Sequence, residues 1–398
     1  MGRSGDIEKK DRRNSFTALR LILAILVAIS HTTVSSGHYF TFSFGLIGYG
    51  TLAVFGFFAI SGFLIMPGLI RDGLGRYLIR RSARIFPGYW GASIITLLLF
   101  ATIWGQWSHQ RMTLANSLRY LLHNLFFMPA TPESPHAGWN LLQGLPYSVP
   151  TPHVVNVSIW TLPLEFSSYL ALGIFVLFTT KYLRKAFIAS FSLLLLVLWF
   201  YSIYLATCIT DFWDAHPSSF VTYGGKWPYL LSFFIGAAIA LKRDWLRRDL
   251  AWLLILPLLV VSYFAAKSTL SWAVIGAISF ALAVILFGSS RLLPLRFVGT
   301  DISFGIYLYH WPVEQTLVHY LPLRSDRALF IVLSLLVSGV LAYLSARFIE
   351  EPAMRWGKRF AGGAIPRFQV RVSHTESEPH PRMSSNSLVS GSILLARP

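Results

Sequence analysis

The sequence predicts an all-α integral membrane protein of about ten transmembrane helices, with both termini in the cytoplasm. Three observations support this fold class. Of the 398 residues, 54% are apolar, and these apolar residues gather in long blocks. Lys and Arg are concentrated in every second polar segment between the blocks. The blocks are roughly 17–22 residues long, which suits a helix that crosses the hydrocarbon core of a bilayer. A large soluble protein would scatter its apolar residues along the chain.

The apolar blocks between polar breaks give ten predicted spans. Their approximate bounds are 17–37, 44–66, 85–104, 158–180, 187–206, 227–241, 250–266, 268–288, 302–321 and 328–349. The charged segment 1–16 precedes them without the features of a cleavable signal peptide. The predicted membrane domain therefore covers 17–356. Residues 357–398 are predicted to form a disordered cytoplasmic tail, because this stretch has too little apolar periodicity to pack.

The distribution of basic residues predicts the orientation. With a cytoplasmic N-terminus, the inner segments carry 26 of the 34 Lys and Arg residues and the outer loops carry six, while Arg20 and Arg347 lie within spans. Because basic loops are retained on the cytoplasmic side, both termini are expected there. The net charge of +17 is then explained by a face that meets anionic lipid, and no nucleic-acid partner is needed.

The single cysteine, Cys208, restricts the possible chemistry. It excludes an internal disulfide framework and any cysteine-rich metal site, and we expect no bound metal. Cys208 lies near the outer end of the fifth span without an adjacent base in sequence, so it is a poor candidate for a thioester intermediate.

One outer segment, 105–157, is much longer than the other loops. It contains an amphipathic stretch, LANSLRYLLHNLFF, followed by residues rich in Pro and His. Loops of this length are uncommon and are more often functional or disordered than simple connectors.

Ionisable residues inside spans are the main candidates for function. Arg20 and His31 are eleven residues apart, so a helix places them on one face, about 16 Å apart along its axis. Arg20 could instead snorkel to the headgroups, and His31 could simply bond a neighbouring carbonyl. A desolvated histidine is favoured in its neutral form, which can accept a proton.

Glu165 lies in the stretch SIWTLPLEF, near the predicted outer start of the fourth span. A carboxylate at this depth is costly unless it is paired or protonated, so we expect it to pair with His31 or an arginine. A carboxylate bonded to one imidazole nitrogen would orient the ring. A structural bond between helices is the alternative, and Trp160 could be an interfacial anchor.

Two further stretches carry ionisable residues, one at the cytoplasmic start of the third span and one inside the ninth span. In RRSARIFPGYW, Arg81 and Arg84 share a helix face; they are either an ordinary positive-inside signal or a fork that binds the phosphates of an anionic cofactor. In SFGIYLYHWPVE, His310 and Glu314 are four residues apart and share a face if Pro312 permits it. By contrast, GFFAISGFLI has no ionisable group, and its small residues suit helix packing.

Taken in order, these stretches resemble motifs of the membrane-bound acyltransferase-3 family, whose members O-acylate bacterial polysaccharides, lipopolysaccharide, nodulation factors and some macrolides. The resemblance covers about residues 16–356 and ends at FIEEP, 348–352. The matching residues are Arg20, His31, Arg81, Arg84, Pro87, Tyr89, Trp160, Leu162, Glu165, Ser303, Tyr307, Leu308 and His310. Thr161 stands where the family pattern has serine, which keeps the hydroxyl, and Phe304 stands where tyrosine is common.

The resemblance implies an integral membrane O-acyltransferase that moves an acyl group, most often acetyl, from acyl-coenzyme A to a hydroxyl of a carbohydrate. The acyl-coenzyme A is a co-substrate, and no tightly bound cofactor is expected. The implied partners are the lipid bilayer and the carbohydrate acceptor, and the implied location is the bacterial cytoplasmic membrane.

The implied roles agree with the chemistry of the residues. His31 would be the general base, since an alcohol is a poor nucleophile at neutral pH. Glu165 would orient His31 or bind the acceptor. The donor phosphates would be bound by Arg81 and Arg84, with Arg20 as a further candidate. Substrate binding is expected at two more residues, Trp160 and His310.

The competing interpretation is a transporter or flippase of a lipid-linked sugar or small anionic substrate. In that protein the same intramembrane charges would bind substrate or relay protons.

Overall fold

The computed structural model describes residues 15–35, 43–99, 114–125, 156–182, 187–215, 227–241, 251–290, 300–321 and 326–363. Its helices are α1 (Phe16–Ser35), α2 (Tyr49–Asp72), α3 (Leu74–Leu99), α4 (Leu114–Leu125), α5 (Thr161–Tyr182), α6 (Phe187–Ala215), α7 (Trp227–Leu241), α8 (Ile255–Ala265), α9 (Thr269–Ser271), α10 (Ala277–Ser289), α11 (Ser303–Tyr320), α12 (Arg327–Ser345) and α13 (Glu351–Gly363). Shorter elements are 3₁₀ turns at Val157–Trp160 and Ala251–Leu254, π turns at Trp272–Gly276 and Ala346–Glu350, and an antiparallel hairpin of β1 (Ser43–Phe44) and β2 (Ile47–Gly48).

The helices are those of a membrane protein. Among the described residues, five helical stretches are long and apolar enough to cross a membrane: Phe16–Ser35, Tyr49–Asp72, Val157–Thr179, Trp272–Ser289 and Arg327–Gly362. Three shorter stretches are also apolar: Phe187–Tyr201, Pro228–Leu241 and Trp252–Ala265. The predicted all-α class agrees with this architecture.

Large apolar side chains cover the outside of several helices. Leu193 on α6, Leu256 on α8 and Leu336 on α12 are each more than 60% exposed. A soluble monomer rarely exposes contiguous apolar surface on this scale, whereas lipid solvates it without cost.

Two predicted spans begin at the wrong residue. The block 44–66 was expected to be helical throughout, but α2 starts at Tyr49 because the chain first forms the β1–β2 hairpin. Gly45 has a positive φ of 67°, and a Cβ there would lie 2.4 Å from the carbonyl oxygen of Ala266. The hairpin therefore requires glycine at its turn, against the α8 end.

Helix α3 begins at Leu74, eleven residues before the predicted start of the span 85–104. Hydropathy places the start of this span after Arg84, because basic residues usually mark the end of a membrane span. In the structure these arginines continue the helix, and Arg81 and Arg84 point into the interior, where both line a pocket. Pro87 lies inside this helix.

Helix α13 continues to Gly363 and crosses the boundary at residue 356 that separated the predicted membrane domain from the tail. Its Gly357 and Ala361 are buried, and a Cβ at Gly357 would lie 2.5 Å from that of Ala83 on α3. Packing on α3 thus extends the helix beyond the apolar block. Residues 364–398 lie outside the described residues, as do 105–113 and 126–155 of the long loop; α4 forms where its amphipathic stretch was predicted.

Helix α2 is central to the core and packs closely on α7. A Cβ at Gly62 would lie 1.9 Å from the carbonyl oxygen of Phe233, and a Cβ at Gly236 would lie 2.1 Å from that of Ala59. The two backbones touch at this crossing, as small residues permit between membrane helices. The predicted packing role of the GFFAISGFLI stretch is confirmed at Gly62.

Helices α1 and α11 lie side by side and run parallel. His31 contacts His310, and four residues later Ser35 contacts Glu314. Arg20, eleven residues before His31, contacts Asp301 just before α11. The packing of α1 against α11 therefore brings Arg20 to Asp301 at one end and His31 to His310 further along the two helices.

Candidate functional site

Asp301 joins two of the predicted donor-binding arginines. Its Oδ2 lies 3.0 Å from Nη2 of Arg20 and 3.2 Å from Nη2 of Arg84. The backbone and hydroxyl of Ser303 donate to its Oδ1 at 3.1 and 2.6 Å. Burial raises the pKa of the Asp301 carboxyl, but the two arginines and the Ser303 hydrogen bonds together hold the pKa below its ordinary value. Asp301 is therefore an anion between two cations.

Arg84 has a second acidic partner, Glu350, at the end of the Ala346–Glu350 π turn. Its Nη1 lies 3.4 Å from Oε2 of Glu350, which is only 1% exposed. Ser345 donates to the other oxygen of Glu350 at 3.1 Å. The turn in FIEEP thus brings a carboxylate under α3, and Arg84 is held by carboxylates from two parts of the chain.

Arg81 differs from its neighbour. It is half-buried, and its Nε is buried without a hydrogen-bond partner among the described residues. It also forms no ion pair with a described residue, whereas Arg20 and Arg84 share Asp301. Of the three arginines, Arg81 is the one whose guanidinium is not paired with a described carboxylate, so its charge is available to an external anion.

The three arginines open onto one pocket of about 110 Å³. Its other walls come from α2, α5 and α11. The lining residues are Arg20, Val54, Phe57, Phe58, Ile60, Ser61, Leu64, Ile65, Arg81, Arg84, Ile85, Thr161, Leu162, Glu165, Tyr169, Ser303, Phe304 and Tyr307. The structure therefore brings together four of the predicted site residues, the three arginines and Glu165. Phe304, the departure from the family pattern, lies under Arg84 with its ring centroid 5.5 Å from the guanidinium carbon.

Glu165 does not contact His31, as one of the two predicted roles required. Its Oε1 accepts hydrogen bonds from Ser61, at 2.8 Å, and from Tyr169. The reason is the direction of α5, which runs antiparallel to α11: Ser158 contacts His310, Thr161 contacts Tyr307, and Glu165 lies one turn further toward the arginines. Glu165 is a wall of the charged pocket.

His31 instead contacts His310. Nδ1 of His31 lies 2.8 Å from Nε2 of His310, and the two rings are nearly parallel, with 13° between their planes and their centroids 5.1 Å apart. His31 is partly exposed, whereas His310 is 0% exposed. The ring nitrogens of His310 contact His31, Ser158 and the carbonyl of Ile306, and its predicted substrate-binding role stays a prediction. Trp311 lies edge-on to His31 at 5.3 Å.

Pro312 explains how the His310 side of the site is built. Proline has no N–H, so the carbonyl of Leu308, four residues earlier, loses its helical donor. Nδ2 of Asn156 donates to this carbonyl at 2.8 Å and so fixes the Val157–Trp160 turn against α11. Ser158 in that turn then lies 3.1 Å from Nε2 of His310.

The pocket ends one turn of α11 before the histidines. At this end the hydroxyls of Thr161 and Tyr307 lie 2.7 Å apart, and the Tyr307 ring is 6.2 Å from that of His310. Thr161 replaces the family's serine and uses its hydroxyl for this bond. Trp160 is not a pocket residue; it is half-buried and packs edge-on against Tyr229 at 5.5 Å.

Asp301 and Glu350 were missed by the sequence analysis. The available signal was an acidic residue at the edge of a span, in GTDISFG and in FIEEP, opposite arginines that needed partners. Among the described residues, no group of three or more His, Cys, Asp or Glu side chains could hold a metal ion.

Fold and site together define a helical membrane protein with an arginine-lined pocket next to a buried histidine pair. A family model described as an acyltransferase domain, acyltransferase-3, matches residues 13–347, so the chain belongs to this family and is an acyltransferase. It is also 27% identical over 369 residues to an O-acetyl transferase of Shigella phage Sf6, covering 90% of this chain and 99% of that protein. No solved structure matches the chain. The resemblance found in the sequence is confirmed.

Proposed function

We propose that the protein transfers an acyl group, with acetyl expected, from acyl-coenzyme A to a hydroxyl of a carbohydrate such as exopolysaccharide or lipopolysaccharide. The observation that carries the proposal is the position of Arg20 and His31 on α1: one lines the charged pocket and the other belongs to the histidine pair beyond it. The name of the phage relative, an O-acetyl transferase, supports acetyl as the group.

The arginine end of the pocket is the proposed site for the phosphates of coenzyme A. Arg81 would make the main contact, since the described carboxylates near the pocket pair with Arg20 and Arg84 and not with it. Arg84 and Arg20 would add positive charge while Asp301 holds them in place. Planar guanidinium groups suit this task because they bind phosphate oxygens in pairs.

His31 is the proposed general base. The acceptor hydroxyl gives its proton to the imidazole of His31 as its oxygen forms a bond to the acyl carbon. The bond between that carbon and the thioester sulfur then breaks, and the proton passes from His31 to the departing thiolate. A positioned base of this kind contributes about 10²–10⁴-fold to the rate.

Glu165 is proposed to bind substrate. Glu165 does not contact His31, so of its two predicted roles, orienting His31 or binding the acceptor, we propose the second. The carboxylate faces the pocket, where it can accept a hydrogen bond from a substrate hydroxyl or amide. Trp160 is proposed to contact the acceptor from the other side of the turn.

The chain is proposed to cross the bacterial cytoplasmic membrane ten times with both termini inside. The excess of Lys and Arg on alternate segments supports this orientation. Arg20, Arg81 and Arg84 then lie at the cytoplasmic edge, where coenzyme A is available, and the histidine pair lies deeper. Reporter fusions after residues 73, 184, 245 and 363 should all report a cytoplasmic location.

Membranes from cells that produce the protein, supplied with acetyl-coenzyme A and surface polysaccharide from the host, test the proposal. We expect free thiol to be released and an ester to form on the polysaccharide. His31→Ala should abolish both, while His319→Ala, a partly exposed histidine on α11, should retain them. A transporter would do neither reaction. Ester formation at the normal rate by His31→Ala would overturn the assignment of the base.

A further inference from the structure

The hydrogen bonds of His310 determine which of its nitrogens carries the proton. Its Nδ1 lies 3.0 Å from the backbone carbonyl oxygen of Ile306, one turn earlier on α11. A carbonyl oxygen can only accept, so Nδ1 of His310 must be the N–H donor. In a neutral ring the other nitrogen, Nε2, then carries a lone pair and no hydrogen.

This lone pair decides the state of His31. Nδ1 of His31 lies 2.8 Å from Nε2 of His310, and two lone pairs would repel at this distance. Nδ1 of His31 must therefore donate its hydrogen to Nε2 of His310. The hydroxyl of Ser158, 3.1 Å from the same nitrogen, is a second, longer donor to it. A neutral His31 that is protonated on Nδ1 has its own lone pair on Nε2.

The alternative is a positively charged His310, which would donate from both nitrogens. His310 is 0% exposed, and a charge there would need a carboxylate partner. Among the described residues, the hydrogen bonds of Glu314, one turn further on α11, go to Ser35 and Ser334 and not to either ring. The arginines and Asp301 lie at the other end of the site. The surroundings therefore favour the neutral ring.

We propose that His310 is a positioning residue that holds His31 in the Nδ1–H tautomer and so leaves Nε2 of His31 as the proton acceptor. The catalytic meaning of this arrangement rests on the proposed function; the tautomer itself does not. His31 is the histidine suited to take a proton from the substrate, because it is partly accessible while His310 is enclosed.

The arrangement also supports the step in which His31 becomes charged. When Nε2 of His31 takes the hydroxyl proton, the ring becomes an imidazolium, and its Nδ1–H bond to Nε2 of His310 becomes charge-assisted and stronger. The proton then leaves Nε2 of His31 for the thiolate, and the original tautomer is restored. No proton needs to reach His310 in this cycle.

Nitrogen NMR of ¹⁵N-histidine-labelled protein in lipid bilayers measures the tautomer directly, because protonated and unprotonated ring nitrogens have well-separated shifts. The His31 signals are assigned as those lost in His31→Gln. We expect His31 in the wild type to be protonated on Nδ1. In His310→Leu this nitrogen loses its acceptor, so we expect the His31 signals to shift toward the Nε2–H form. His31 protonated on Nε2 in the wild type would overturn the proposal.

Kinetics on the same variants test the consequence. We expect His310→Leu to lower kcat by more than about tenfold, a part of the 10²–10⁴-fold that a general base supplies, with KM for acetyl-coenzyme A unchanged. His310→Gln places a carbonyl oxygen within reach of Nδ1 of His31 and should recover part of kcat. His319→Leu on the same helix is the matched control. A tautomer shift in His310→Leu with normal kcat would also overturn the proposal.

The two experiments separate this proposal from the proposed function. If the wild type shows the Nδ1–H tautomer but no variant of the chain ever acylates an acceptor, the proposed function fails and the tautomer assignment stands. If acylation depends on His31 but the wild-type tautomer is Nε2–H, the function stands and the role of His310 is wrong.

Discussion

Arg20 and Asp301 form an ion pair 3.0 Å long that ties α1 to the residue two positions before α11. Because Arg84 of α3 binds the same carboxylate oxygen at 3.2 Å, three parts of the chain meet at one anion. The side chain of Asp301 is 21% exposed. The cluster of Arg20, Arg84 and Asp301 therefore has two roles. It holds the helices together, and it presents two cations to the pocket.

Asp301→Asn should lower the Tm of the purified protein. A hydrogen bond to a charged group contributes about 1.5–3 kcal/mol, and the neutral amide of the variant could not balance two guanidinium charges. Intrinsic fluorescence during heating measures the change. Asp326→Asn, at the start of α12, is the matched control, because an asparagine oxygen can still accept from the backbone of Leu329. An unchanged Tm for Asp301→Asn would contradict the structural role of the cluster.

The same variant gives a pH prediction. The folded-state pKa of Asp301 lies below its ordinary value of 3.8, so its stabilising contribution is complete above that pH. It is lost as the pH falls through the folded-state pKa. The difference in Tm between wild type and Asp301→Asn should therefore be constant from pH 8 to pH 5 and should shrink below about pH 4. A difference that grows on acidification would contradict the lowered pKa.

Arg81 and Arg84 should differ in what their removal changes. Arg81→Ala should raise KM for acetyl-coenzyme A by about tenfold to a hundredfold, the equivalent of one or two charged hydrogen bonds, with Tm near that of the wild type. Arg84→Ala should raise KM and also lower Tm, because Asp301 and Glu350 lose a partner. Arg359→Ala, on the exposed face of α13, is the control. Equal effects of both variants on Tm would contradict this division.

The sequence was most informative where a helix contains no lysine or arginine. The span 227–241 matches α7 at both ends, and 302–321 differs from α11 by one residue at each end. It was least informative where polar residues continue a helix inward, as at the start of α3. Hydropathy treats an arginine as the end of a span, whether it meets water or an internal pocket.

The site shows the same limit. Spacing along one helix predicted that Arg20 and His31 share a face, and it predicted the same of Arg81 and Arg84. It could not show which helix each face meets, and so it left His31 and the arginines open as partners of Glu165 and did not predict that His310 lies beside His31. That pairing depends on the register between α1 and α11 and on the direction of α5, and both are properties of tertiary packing.

Glu165→Gln should lower kcat/KM while leaving Tm close to that of the wild type. The amide oxygen of glutamine can still accept from Ser61 and Tyr169, so the fold loses little, but the pocket loses its negative charge. Acyl transfer at several substrate concentrations, together with Tm, measures both quantities. Glu351→Gln is a control that also keeps its hydrogen bond, here from Thr300. Normal kcat/KM in Glu165→Gln would exclude a role of the charge in substrate binding.

Gly62→Ala should destabilise the protein, although alanine is normally the better helix residue. The new Cβ would lie 1.9 Å from the carbonyl oxygen of Phe233, so α2 and α7 would have to separate. Overpacking of this kind typically costs about 1–3 kcal/mol, and activity should fall as well because Ser61, the adjacent residue, holds Glu165 in the pocket. Gly68→Ala, on the same helix with nothing within 4 Å of its Cβ, should keep or raise Tm. If both substitutions leave Tm unchanged, the close approach of α2 and α7 is wrong.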